Sequence, residues 1–131
     1  MAPPDLLKLC CWREARGEGI LGKRGQAHSV MNRVANASWW GHDIQSVILC
    51  KWQYSSFNEG DPNEEKWPLD DDPSFIDCSN VCDAILSGTD EDLTSGADSY
   101  YDISIPAPYW ANAATSTLTL EVGRFRFFKT R

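Results

Sequence analysis

The chain has 131 residues, of which 42% are hydrophobic and 24% charged, with a net charge of −7. This length allows one core and one domain over residues 1–131. The acidic balance without a basic patch excludes nucleic acid as a partner. No run of 18 or more apolar residues is present to cross a membrane.

Pro3 and Pro4 followed by Asp5 predict a helix over 6–16 with Asp5 as N-cap. The N-terminus lacks the pattern of a secretory signal, which leads us to expect synthesis in the cytoplasm. At about 100° per residue, Leu7, Cys11, Glu14 and Glu18 fall on one stripe with Cys10 beside it, and Arg13 and Arg16 point elsewhere. Glu14 then sits at the edge of a core near a helix C-terminus. Apolar neighbours and the helix end both disfavour a negative charge, so its pKa is expected to rise, as a general acid working near neutrality requires. Spacing alone, however, favours an ion pair with Arg16 or Arg33. Gly17 and Gly19 are expected to end this helix.

A second helix is predicted over 22–36. Ala27, Val30, Met31 and Val34 form its apolar stripe, and Lys23, Gln26 and Arg33 are expected on its other sides. A short helix is predicted over 42–49. The acidic stretch 58–73, NEGDPNEEKWPLDDDP, reads as a solvated, turn-rich loop without calcium-loop spacing. A further helix is predicted over 75–88 with Phe75, Cys78, Cys82, Ile85 and Leu86 inward and Gly88 as C-cap. Residues 99–105 and 116–129 alternate as strands do, with Gly123 at a bulge or turn. Helices followed by a small C-terminal sheet make an α+β domain. The five cysteines read as reduced packing residues, and neither they nor His28 and His42 have metal-site spacing, so no metal or cofactor is expected.

The motifs WREARGE (12–18), GKRGQAHSVMNRV (22–34), KWQYSSFNEGDPN (51–63), GADSYYD (96–102), PYWA (108–111) and VGRFRFF (122–128), in this order, resemble the SleB-like cell-wall hydrolases of spore-cortex lytic enzymes and some phage lysins. The resemblance implies a lysozyme-like fold similar to lytic transglycosylases, and cleavage of the MurNAc-β-1,4-GlcNAc bond of peptidoglycan. It also implies that Glu14, the first Glu of E-A-R-G-E, is the catalytic acid. Two positions depart from the family pattern, where histidines are common: Ser99 and Phe125 stand in their place.

A lytic transglycosylase needs one carboxyl group, and a hydrolase needs a second. Glu18 and Asp102 are the candidates for a supporting role, with Asp98 and Glu121 behind them. Sugar rings need flat apolar faces and polar partners, which points to Gln53, Phe57, Tyr100, Tyr101 and Trp110, with Tyr54 and Tyr109 as further candidates. Strand alternation sends Tyr100 and Tyr101 to opposite sides, so one of the two is expected in the groove. The expected partner is a peptidoglycan strand, met by a monomeric enzyme of endolysin type. The competing expectations are an N-acetylmuramidase, a non-catalytic peptidoglycan-binding module and, more weakly, a zinc amidase.

Overall fold

The computed structural model describes residues 1–130. Helix α1 spans Pro3–Ala15 and α2 spans Ile20–Ala35; α3 is the single turn Ile44–Ile48, and α4 spans Pro73–Leu86. Three strands follow: β1 at Ser99–Asp102, β2 at Ser116–Val122 and β3 at Phe125–Thr130. They form one antiparallel sheet in the order β1-β3-β2.

The ends of these elements show which local signals prevail. α1 starts earlier than Asp5 predicts: Pro3 opens it, and Ala2 is an N-cap without a side-chain hydrogen bond. Pro at the first helical position has its φ preset and no N–H to satisfy, so it can begin a helix unaided, leaving Asp5 in the first turn. α1 ends at Ala15 with Arg16 as C-cap; neither Gly17 nor Gly19 adopts a positive φ. At α4, Asp72 accepts the backbone N–H groups of Ser74 and Phe75, and Pro73 follows it. Gly88 at φ +78° closes α4, with Gly88 N–H donating to Ile85 O and Thr89 N–H to Ala84 O. That is a Schellman ending, with the glycine just beyond the last helical turn. Gly123, at φ +53°, is the first of two residues joining β2 to β3, where a tight hairpin favours glycine.

α1, α2, α3 and α4 share the larger core, built on Leu7, Cys10, Cys11, Val30, Ile48, Cys78 and Cys82. All five cysteines are free thiols. A smaller cluster of Ala15, Ala97, Phe125 and Phe127 seats the sheet on the helices. Leu86, expected inward, is exposed, and Val81 takes the buried position on α4.

α2 departs most from its amphipathic reading. Lys23, Gln26 and Arg33 are all buried, because α2 is packed by α1, α3, α4 and β1 and presents no wide solvent face. The two cations are tied to carbonyls: Lys23 Nζ donates to Glu18 O at 2.5 Å, and Arg33 Nε donates to Asp98 O. The acidic stretch 58–73 is turn-rich as expected. Arg13 pins it by donating to the carbonyls of Ser56, Glu64 and Lys66, with its guanidinium between the Phe57 and Trp67 rings.

Candidate active site

Glu14 lies on the last turn of α1. Leu7, Cys10 and Cys11, on the same side of the helix, are fully buried. Glu14 follows them to the rim of the core, where it keeps part of its surface open to a groove. The ion pair that spacing alone favours does not form. Arg16 donates to Arg13 O and Asn63 Oδ1, and Arg33 to Asp98 O, Gln53 Oε1 and Ser99 Oγ. Instead, Glu14 Oε1 accepts a hydrogen bond from the Tyr100 hydroxyl at 2.9 Å, and that hydroxyl accepts one from Gln26 Nε2 at 3.3 Å.

Burial pushes the Glu14 pKa up from the ordinary carboxylate value. The Tyr100 and Ser56 hydroxyls and the Arg16 charge pull against this, the Asp61 charge adds to it, and the net direction is upward. The Ser56 hydroxyl is buried and has no partner of ordinary hydrogen-bond geometry, yet it lies close enough to favour the charged form of Glu14. Burial and the neighbouring Glu14 charge push the Tyr100 hydroxyl well above its ordinary value, so it stays protonated and donates.

The groove has a volume of about 710 Å³. Glu14 and Tyr100 lie in it with Arg33, Trp39, Trp40 and Trp52 from the helical half, and with Tyr101, Asp102 and Trp110 from β1 and the loop after it. Tyr101 stacks on Phe128 with ring centroids 5.9 Å apart, and the Trp110 ring packs edge-on against Phe128 at 5.5 Å. On the other side the Arg33 guanidinium lies 4.9 Å from the centre of the Trp40 ring. Gln53 lines the groove, held by Arg33. Both tyrosines line it too, although alternation allows only one. Tyr100 leans on Phe125 and Phe127 and reaches Glu14 with its hydroxyl, while Tyr101 presents its ring from beside Phe128.

Two sequence candidates lie elsewhere. Phe57 is outside the groove, in a separate depression with Leu6, Leu9 and Trp67, because Arg13 packs over its ring at 4.7 Å. Glu18 is also outside: its carboxylate accepts the backbone N–H of Arg124 at 3.1 Å and so ties the α1–α2 link to the β2–β3 turn. Asp102 does line the groove. Partial burial pushes its pKa up, but hydrogen bonds from Ser104 and the Arg124 charge outweigh this and hold it below the ordinary value. Asp98 is occupied by the Thr130 N–H and hydroxyl and by the Ser99 hydroxyl, and Glu121 pairs with Arg126.

The residues missed by sequence reasoning are Gln26, Ser56 and Trp52. Gln26 carries no signal as long as its helix is taken to have one apolar face. Trp52 has a φ of +70°, unusual for a tryptophan, which turns it outward at the groove rim; no local sequence signal reveals a single positive φ. Ser99 and Phe125 both line the groove. Among the described residues no three His, Cys, Asp or Glu side chains converge as metal ligands; His28 is bound to Asp90 at 2.6 Å.

Fold and site together define a lysozyme-like α+β protein with an acid-bearing groove between its helices and its sheet. The model of the cell wall hydrolase family matches residues 17–128, and the chain belongs to that family. The match begins three residues after Glu14 and so leaves that residue outside. Among solved structures, the catalytic domain of the Bacillus cereus SleB protein superposes with a TM-score of 0.71 at 20% identity, covering 97% of this chain and 89% of that one. At that identity the likeness speaks for the fold. No curated protein matches significantly.

Proposed function

We propose that the protein cleaves the MurNAc-β-1,4-GlcNAc bond of peptidoglycan as a lytic transglycosylase, with Glu14 as general acid and then base. The observation that carries this reading is the Glu14 carboxyl: raised in pKa by burial, without an ion-pair partner, and open to a groove walled by aromatic rings. A neutral carboxyl in that position can give its proton to the leaving glycosidic oxygen. The resulting carboxylate takes the proton of the muramic acid 6-hydroxyl as that oxygen closes on C1, which yields a 1,6-anhydro end. Tyr100 holds the carboxylate in place through both steps. Tyr101, Trp110 and Trp52 offer flat faces to sugar rings, and Gln53 offers an amide.

Transglycosylation is preferred to hydrolysis because the other acids of the groove are already engaged. Asp98 Oδ1 accepts from the Ser99 hydroxyl and from the Thr130 N–H and hydroxyl, and Asp102 is held by Ser104 N–H at 2.8 Å and by Arg124 at 3.4 Å. Hydrolysis remains the second reading on one observation, namely that Asp102 lies in the same groove in charged form.

Mass spectrometry of muropeptides released from purified peptidoglycan tests both. The wild type is expected to release products one water lighter than reducing ends. Reducing muramic acid ends would replace this mechanism with hydrolysis and direct attention to Asp102. Glu14→Gln is expected to lower the rate by about 10³-fold or more, in the range of general acid catalysis. Undiminished release by Glu14→Gln would remove Glu14 from its role.

A further inference from the structure

Gln26 lies in the middle of α2 and is fully buried. An amide there is costly unless its groups are bonded. Its Nε2 donates to Tyr100 Oη at 3.3 Å and to Cys10 Sγ at 3.5 Å, while its Oε1 has no partner. Turning the amide over would put both N–H groups where Oε1 now finds nothing. Two orphaned donors would replace one orphaned acceptor, and the reversed Oε1 would draw the Tyr100 proton away from Glu14. The chain of bonds therefore has a direction: amide N–H to phenol oxygen, then phenol O–H to carboxyl oxygen.

We propose that Gln26 is a positioning residue for Glu14: by donating to Tyr100 it keeps the tyrosine hydroxyl aimed at Glu14 Oε1 and so confines the acid's proton to Oε2. This rests on the reading of Glu14 as the acid. A phenol has one proton to give. With Gln26 donating to its oxygen, Tyr100 spends that proton on Oε1, and an oxygen that accepts it is not the one carrying the carboxyl hydrogen. The proton on Oε2 is then free to pass to the leaving oxygen of the substrate. Without Gln26 the hydroxyl can turn and accept the carboxyl proton, which holds it in a Glu14–Tyr100 bond and away from the sugar. The titratable and charged groups around Glu14 are Tyr100 on β1, Tyr54 and Asp61 on the loop segments after α3, and Cys10 and Arg16 on α1 itself. Of these, Tyr100 is the one bonded to Glu14, so it is the one through which Gln26 acts.

The test compares Gln26→Met and Gln26→Glu, each with and without Tyr100→Phe. It reads kcat and KM on peptidoglycan across pH, and the NMR titration of the Glu14 carboxyl carbon. Gln26→Met, similar in length and without donors, is expected to lower kcat about tenfold, the worth of one hydrogen bond, with KM little changed. The Glu14 midpoint is expected to move upward, and the alkaline limb of the rate with it, since the proton gains an acceptor in Tyr100. In the Tyr100→Phe background the same substitution is expected to change neither. At pH values where its own carboxyl is ionised, Gln26→Glu accepts from Tyr100 and is expected to lose at least as much as Gln26→Met.

Wild-type kcat and an unmoved Glu14 midpoint in both variants would overturn the proposal. So would an equal loss in the Tyr100→Phe background, which would make Gln26 a packing residue. Should the variants fail to fold, the wild type decides: an NOE between the Gln26 side-chain amide protons and the Tyr100 ring is expected, and its absence would overturn the proposal. If Glu14→Gln kept its activity, the reading of the acid would fall, whereas the titration and the NOE would still decide whether Gln26 sets the direction of the bond.

Discussion

At the scale of the residue, the protein places a carboxyl group where its charged form is disfavoured and keeps it there. This has a consequence for stability that does not depend on turnover. Glu14 has a raised pKa in the folded state, so the folded chain binds its proton more tightly than the unfolded chain does. Its contribution is full below the unfolded value, about 4.3, and is lost as pH rises through the higher folded value. Gln is neutral at every pH and keeps an oxygen to accept from Tyr100. Glu14→Gln is therefore expected to melt with the wild type in acid and a few degrees above it at neutral pH, as measured by thermal unfolding across the two conditions. A lower melting temperature at neutral pH would mean that the carboxylate is a net stabiliser and that its folded pKa is not raised.

At the scale of the element, α2 governs how closely the sheet approaches the helices. Gly25 leaves room for the Phe127 ring, and a Cβ there would lie 2.5 Å from its Cζ. Phe127 is fully buried and packed against Tyr100 and Phe125, so it has little freedom to yield. Gly25→Ala is expected to cost about 1–3 kcal/mol despite alanine's better helix propensity, measurable by urea unfolding. A gain in stability would show that the ring can withdraw. This element also marks what the sequence tells and what it withholds. The four helices and the strands can be read from periodicity and from Pro and Gly punctuation, because those signals are local. The place of Glu14 at the edge of the core can be read because its apolar neighbours and the helix end lie within a few residues of it, whereas local spacing points to an ion pair that does not form. Gln26 and Arg33 cannot: their burial follows from four neighbouring elements that pack around α2, and no repeat along the helix records them. Phe57 misleads for the same reason. An aromatic residue beside Gln53 looks like a sugar platform until Arg13, more than forty residues earlier in the chain, covers its ring.

At the scale of the whole molecule, Arg33 joins the two halves. From α2 it donates to Asp98 O and Ser99 Oγ at the edge of the sheet and to Gln53 in the loop, and its charge lies over Trp40. A lysine ammonium cannot reproduce that planar set of donors. Arg33→Lys is expected to cost about 2 kcal/mol or more, since it leaves buried acceptors unpaired, and to lower activity by loosening the groove wall around Gln53. Parallel measurement of melting temperature and turnover checks this; a variant equal to the wild type in both would show the wall to be held by its other contacts.

The bond between Glu14 and Tyr100 joins residues 86 positions apart. Tyr100 in turn rests against Phe125 and Phe127, near the other end of the described chain. A ribosome therefore delivers the acid long before the groups that set its proton. Until β1 and β3 have been made and have docked, Glu14 lacks the Tyr100 hydroxyl that holds its Oε1. On the proposed reading, topology thus completes the site late: the partner that fixes the Glu14 carboxyl is in place only after β3 has docked.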